Sequence, residues 1–366
     1  MLAGLLVLLT VAYCLLILVF AIATLASRYP VDRSFRPRVS IIVAARNEEL
    51  HISRCLQSLT QLTYPRNLLE VIIVDDGSTD RTASLAGPFL SGNPHIKLLS
   101  AVPGRGNLSG KTNAVTQGIE ISSGEILMFT DADCRVPSDW VEETVKYYER
   151  ETVGVLGGFT FLRGASWFSQ MQALDWFVLF SAAAATTRLG YPTTAVGTNL
   201  SVRRQAYDST GGYRKIPFSV TEDYALFHAV ATGGRYKARF PLDRRTLVES
   251  EPCTSWKVLH RQKKRWFAGG RGMDMKSIAV FAVPYLVNLA LLAALVFSSA
   301  PFAWWCLAAK VLIDLLMCLP ALFTYNRTNL VRVYPLYWFY YFGYVLLYPP
   351  LVILSSKVMW KERSFT

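Results

Sequence analysis

No lysine, arginine, aspartate or glutamate occurs among the first 27 residues, MLAGLLVLLTVAYCLLILVFAIATLAS. A bilayer crossing needs roughly 20 apolar residues and a signal-peptide core only about 7–15. The run is long enough to cross and lacks the basic start of a secretory leader, so residues 1–27 read as a retained transmembrane anchor. The six cysteines, at 14, 55, 134, 253, 306 and 318, show no CxxC spacing. That excludes a zinc ribbon or a dithiol redox motif, and the thiols read as reduced and mostly structural. Histidine is scarce, and the four at 51, 95, 228 and 260 have no metal-binding spacing. A basic tail and any nucleic-acid module are also missing, although 38 basic residues face 26 acidic ones for a net charge of +12. With nucleic acid set aside, the surplus suits an anionic membrane surface or a phosphorylated substrate.

The chain has 366 residues, 52% of them hydrophobic, enough for one large soluble domain with several membrane segments. Arg28, Arg33, Arg36 and Arg38 follow the anchor directly. By the positive-inside rule the next segment is cytosolic. Three more apolar stretches, 277–300, 302–325 and 334–356, close the chain. The middle one carries Lys310 and Asp314, four apart on one helix face. They suit a structural ion pair within the membrane, or an acceptor or gating site. Pro349 and Pro350 would break the last stretch or make it re-entrant.

Between the apolar ends the pattern alternates. VSIIVAA (39–45), EVIIVDD (70–76), KLLSA (97–101) and EILMFTD (125–131) read as strands. NEELHISRCLQSL, TASLAGPFL and KTNAVTQGIEIS, which lie between them, read as helices. Short apolar runs separated by helices predict an α/β fold with a parallel sheet. Ligands bind such sheets beyond the carboxyl ends of the strands. ARNEE, DDGS and DADC each follow a strand and would meet at that rim. In an extended chain, Asp131 and Asp133 would point the same way and repel unless a cation lies between them. An all-oxygen site suits Mg²⁺ or Mn²⁺, which usually bridge carboxylates to substrate phosphates. Lys111 and Arg265 suit the remaining phosphate charge, so a nucleoside diphosphate is the natural guest.

SIIVAARNEE, VIIVDDGSTD, GKTNAVTQG, TDADC, TEDY (221–224) and QKKRW (262–266) occur in this order over roughly residues 39–270. Through these motifs the chain resembles the membrane-bound family 2 inverting glycosyltransferases, which have a GT-A domain with a Rossmann-like mixed sheet. Within that family it resembles the branch of ceramide glucosyltransferases and bacterial lipid glycosyltransferases, and it is related to cellulose, hyaluronan and chitin synthases. The resemblance assigns Asn47, Glu48, Asp75 and Asp76 to the nucleoside and places Lys111 near the nucleotide. Asp131 and Asp133 match the DxD acids that hold Mg²⁺ or Mn²⁺, with Asp133 the more direct ligand. Asp223 matches the catalytic base. Gln262, Arg265 and Trp266 match QxxRW, which covers the diphosphate beside the acceptor path. These three fall at i, i+3 and i+4, on one helix face. Trp256, Leu259 and Phe267 border it, with lysines over much of the rest, as in a membrane-surface helix.

The expected domains are the anchor (1–27), a cytosolic GT-A domain (28–250), the QxxRW helix (251–276) and a C-terminal transmembrane region (277–366). Within the second, 165–187 reads as an interface helix or as a buried core helix. The expected activity is inverting transfer of glucose or N-acetylglucosamine from a UDP-sugar donor to a membrane lipid acceptor. It would occur at the cytosolic face of a bacterial inner membrane or its equivalent. The alternative is a processive polysaccharide synthase, and a catalytically dead scaffold is a third reading. Four hydrophobic segments make a thin wall for a polymer channel.

Overall fold

The computed structural model describes residues 2–31, 33–104, 106, 108–270, 274–297, 301–354, 358–360 and 363–365. In chain order the first half holds α1 (Leu2–Leu25), β1 (Val39–Ala45), α2 (Ile52–Thr60), β2 (Leu69–Asp75), α3 (Thr82–Leu90), β3 (Ile96–Ser100), α4 (Gly110–Glu120), β4 (Ile126–Phe129), α5 (Trp140–Val145), β5 (Val153–Gly157) and β6 (Thr160–Leu162). Then come α6 (Trp167–Arg188), β7 (Leu200–Arg203), α7 (Arg204–Ser209), α8 (Glu222–Thr232), β8 (Lys237–Arg239) and β9 (Val248–Ser250). Four long helices follow: α9 (Trp256–Gly269), α10 (Met275–Phe297), α11 (Phe302–Thr324) and α12 (Tyr334–Leu354).

The chain divides into two compact units. A sheet unit comprises Arg28–Arg163 and Thr194–Glu251. Its seven strands run in the order β3-β2-β1-β4-β7-β5-β8. β1 pairs in parallel with β2 and β4, and β2 with β3, as the alternation predicts. β7 pairs antiparallel with β4 and β5, which makes the sheet mixed. Every residue of β4, and all but one of β1 and β2, is buried, as expected of strands covered on both faces.

A helical unit comprises Met1–Ser27, Gly164–Thr193 and Pro252–Thr366. In it α1 lies against α6, α10 and α11. Three helical segments are long and apolar enough to cross a membrane among the described residues: Gly4–Leu25, Ser277–Phe297 and Phe302–Thr324. The fourth expected segment forms α12, which runs through Pro349 and Pro350 without a break. Lys357 and Lys361, at the chain end, lie outside the described residues. Most of α6 is buried within the helical unit. Ser166 caps it, accepting a hydrogen bond from the Ser169 amide at 3.1 Å.

The Lys310–Asp314 pair forms as spaced, with Nζ 2.5 Å from Oδ2. Asp314 also accepts from Tyr13 Oη on α1 at 2.6 Å and from Trp338 Nε1 on α12 at 3.1 Å. One carboxylate thus ties three helices together. With its oxygens so occupied, the pair is a structural pin rather than an open acceptor or gating site.

Candidate active site

Three elements of the sheet unit deliver charged groups to one place. β4 ends at Phe129, and the chain turns at once, with the Cys134 amide donating to the Asp131 carbonyl at 3.0 Å. The two DxD acids therefore sit on a turn rather than on an extended strand, which corrects the expectation of simple alternation. Asp131 Oδ1 lies 2.6 Å from Lys111 Nζ, at the start of α4. The same ammonium lies 2.9 Å from Glu222 Oε1, at the start of α8. Burial alone would pull the Lys111 ammonium down, but the carboxylates of Asp131, Glu222 and Asp223 hold it well above its usual range.

Asp223, the second residue of α8, is gripped by backbone. Its Oδ2 accepts from the Gly197 amide at 2.6 Å and its Oδ1 from the Tyr224 amide at 2.8 Å. Burial and then the neighbouring Glu222 charge push its pKa up to about 6, against the opposing pull of Lys111 and these two amides. A carboxylate with that value is a base near neutral pH. The turn at Gly197–Asn199 that feeds it is pinned from below, where Thr130 Oγ1 donates to the Thr198 carbonyl at 2.9 Å. A Cβ at Gly197 would stand 3.0 Å from Lys111 Nζ and 3.4 Å from Asp223 Oδ2. Gly197→Ala is therefore expected to displace the lysine or the acid and to cut turnover well below that of the parent, while leaving the melting temperature little changed. Steady-state kinetics and a thermal melt check it.

The ARNEE and DDGSTD loops interlock beside this cluster. Asn47, at a left-handed φ of 52°, accepts from the Thr79 amide at 2.9 Å through its side-chain carbonyl. Glu48 and Glu49 donate their amides to Thr82 Oγ1 and Asp80 Oδ2 at 2.7 and 3.0 Å. Asp75 accepts from Ser78 Oγ at 2.5 Å, and both Asp75 and Asp76 are buried. Two of the four carboxyl and amide side chains expected at the nucleoside are thus engaged in shaping their own loops. Asp133 lies beside buried Cys134, whose Sγ is 3.4 Å from Oδ1. All six cysteines are free thiols.

Gln262, Arg265 and Trp266 occupy α9, in the helical unit. Ser255 caps the helix. Leu259 is buried as expected, whereas Trp256 is half exposed. Gln262 Oε1 is buried with no hydrogen-bond partner among the described residues, so it is available to a ligand hydroxyl. Lys263 departs from the expected solvated face: it is only 3% exposed and pairs with Asp175. Glu222 gains a part that its motif alone did not give it, as a second ion-pair partner of Lys111. A Cβ at Gly157 would run into the Phe240 ring and one at Gly158 into the Asn199 side chain, so both positions need glycine for close packing.

Comparison with known proteins agrees with this architecture. Residues 40–211 match the family described as Glycosyl transferase family 2, and residues 126–357 match Glycosyl transferase family group 2. The probable glycosyltransferase YdaM of Bacillus subtilis (strain 168) is 28% identical over 67% of this chain and 58% of its own. The beta-monoglucosyldiacylglycerol synthase of Nostoc sp. (strain PCC 7120 / SAG 25.82 / UTEX 2576) is 31% identical over 64% of this chain and 49% of its own. The chain therefore spans about half the length of these curated relatives. The mannosyltransferase PcManGT from Pyrobaculum calidifontis, solved with GDP-Man and Mn²⁺, superposes with a TM-score of 0.61 at 21% identity. That alignment covers 92% of this chain and 98% of PcManGT, which shows a shared GT-A fold.

Proposed function

The chain belongs to glycosyl transferase family group 2, and from that premise we propose that it moves one sugar from a UDP-sugar to a membrane lipid, inverting the anomeric centre. The observation that carries this reading is the meeting of Asp131, Lys111, Glu222 and Asp223 at one rim of the sheet unit. Asp223 is the base. It takes the proton from the acceptor hydroxyl as that oxygen attacks C1, and the UDP departs from the opposite face. Asn47, Glu48, Asp75 and Asp76 hold the nucleoside, and Lys111 meets the phosphates.

Asp131 and Asp133 are the residues that would hold Mg²⁺ or Mn²⁺. Their donor set fits: both are hard oxygen ligands, and Asp131 already faces a cation, the Lys111 ammonium. Two carboxylates suffice for an ion whose other ligands are phosphate oxygens and water. When bound, it neutralises charge on the departing diphosphate. Gln262, Arg265 and Trp266 form the clamp on that diphosphate, with the Arg265 fork suited to two phosphate oxygens at once.

The lipid acceptor is supported by the three apolar helices and by the similarity to a glycolipid synthase. The arginines after α1 support a cytosolic sheet unit, as in a bacterial inner membrane or its equivalent. The domain assignment read from the sequence is part of the same proposal. Glucose and N-acetylglucosamine are the sugars proposed. Mass spectrometry of lipids from cells with and without the gene tests this: one glycolipid class, heavier than its parent lipid by a single hexose or N-acetylhexosamine, should vanish on deletion. An unchanged lipid profile would count against a lipid acceptor.

A further inference from the structure

Lys263 lies inside the QKKRW motif, yet its ammonium points into the helical unit. The side chain is 3% exposed, and its ion-pair partner Asp175 on α6 is 4% exposed. Asp175 Oδ1 also accepts from Tyr344 Oη on α12 at 3.2 Å. The Lys263 ammonium stands 4.5 Å from the centre of the Trp266 ring and 4.9 Å from that of Tyr344. Trp266 in turn packs on Trp176, the residue after Asp175, with ring centres 5.7 Å apart. The described residues of α9 that are buried are Leu259 and Lys263, one turn apart.

A buried ion pair contributes little stability compared with apolar groups of the same volume, because both charges lose their water. It does select one arrangement. An apolar seam tolerates a slip or rotation between helices, whereas a charge at 263 is satisfied only when it faces Asp175. Successive helical residues are about 100° apart, so Gln262, Arg265 and Trp266 all fall to one side of Lys263, with Trp266 nearest. Whatever fixes the direction of Lys263 fixes all three.

We propose that the Lys263–Asp175 pair is a positioning device that sets the rotation of α9 against α6 and α12 so that Gln262, Arg265 and Trp266 present as one diphosphate clamp. This rests on the clamp role proposed above. Lys263 and Asp175 are positioning residues and do not touch the donor.

The test uses the full chain in detergent or nanodiscs. Lys263→Met/Asp175→Leu replaces the pair by apolar groups. It is expected to melt at or above the parental temperature, yet to lose about 10²-fold in kcat/KM, the effect of roughly 1 Å of misplacement. The UDP-induced change in tryptophan fluorescence should shrink with it. Lys263→Arg, which keeps the charge and the ring contacts, should retain most turnover. Parental kcat, KM and fluorescence response in a stable double variant would overturn the proposal. So would a loss of activity that merely follows a loss of folded protein across the variants. If the double variant does not survive extraction, Lys263→Gln/Asp175→Asn carries the same comparison, since it roughly keeps both shapes and removes both charges. Arg265→Lys serves as the control. If its turnover is normal, the clamp reading fails; if it falls while the double variant is unaffected, the positioning role fails alone.

Discussion

Asp223→Asn is expected to bind UDP-sugar with metal nearly as tightly as the parent and to transfer almost nothing. Asparagine fills the same volume and keeps one of the two backbone hydrogen bonds, from Gly197 or from Tyr224. It cannot accept a proton. Losing a positioned base typically costs about 10²–10⁴-fold in rate. An acid that merely capped α8 would be replaced by asparagine with little effect. The parent's pH profile belongs to the same prediction. With a pKa pushed up to about 6, by burial first and Glu222 second, the base is lost as pH falls through 6. Turnover should therefore drop about tenfold per unit below that point. The stability sign is opposite. A carboxyl whose folded pKa lies above its unfolded value makes folding less favourable once pH rises past the unfolded value. Asp223→Asn should thus melt no lower than the parent at pH 7. Isothermal titration, a pH–rate series and a thermal melt measure the three parts. Normal transfer by the variant would pass the role to another acid, with Glu222 next to it.

Asp133→Ala is expected to lose about 10²–10³-fold in turnover, the scale of removing one preorganised group that stabilises developing charge. EDTA should silence the parent, and added Mg²⁺ or Mn²⁺ should restore it. Neither metal should rescue the variant. The effect should stay confined to chemistry, because Asp133 sits on a turn at the end of β4 and outside the buried strands that hold the sheet together. Full activity in EDTA would remove the metal from the account and leave Lys111 as the counter-charge at Asp131.

How far the sequence spoke can be judged element by element. VSIIVAA matches β1 residue for residue, and β2 and β3 each begin one residue earlier than read. β1 and β2 are buried on both faces, so a run of branched apolar residues marks them well, whereas β3, at the sheet edge, is fully buried only at Ile96. β7 escaped notice because its four residues, LSVR, carry neither length nor alternation, and its antiparallel direction depends on partners far along the chain. The turn at Asp131–Cys134 was hidden for a similar reason: nothing in DADC forbids an extended chain. At the site, Asp131, Lys111 and Asp223 were legible as motif residues, and the fold brings them together. Glu222 is adjacent in sequence to Asp223, but only the packing of α8 near α4 makes it the partner of Lys111. Lys263 was read as part of a solvated basic face. Helical periodicity cannot reveal a partner such as Asp175, 88 residues earlier and on another helix. Asp175 itself was the clue, the one acid in a largely apolar helix, since a buried carboxylate needs a cation.

The central claim, a single sugar transfer to lipid by the base Asp223, is tested most directly with the purified chain in nanodiscs. The nanodiscs are made from a total membrane lipid extract, the reaction contains labelled UDP-glucose or UDP-N-acetylglucosamine with Mn²⁺, and the products are resolved by mass. The account predicts one discrete glycolipid carrying a single sugar in β linkage, formed by the parent and absent with Asp223→Asn. A polydisperse polymer that stays with the protein and is cut by a polysaccharide hydrolase would contradict it.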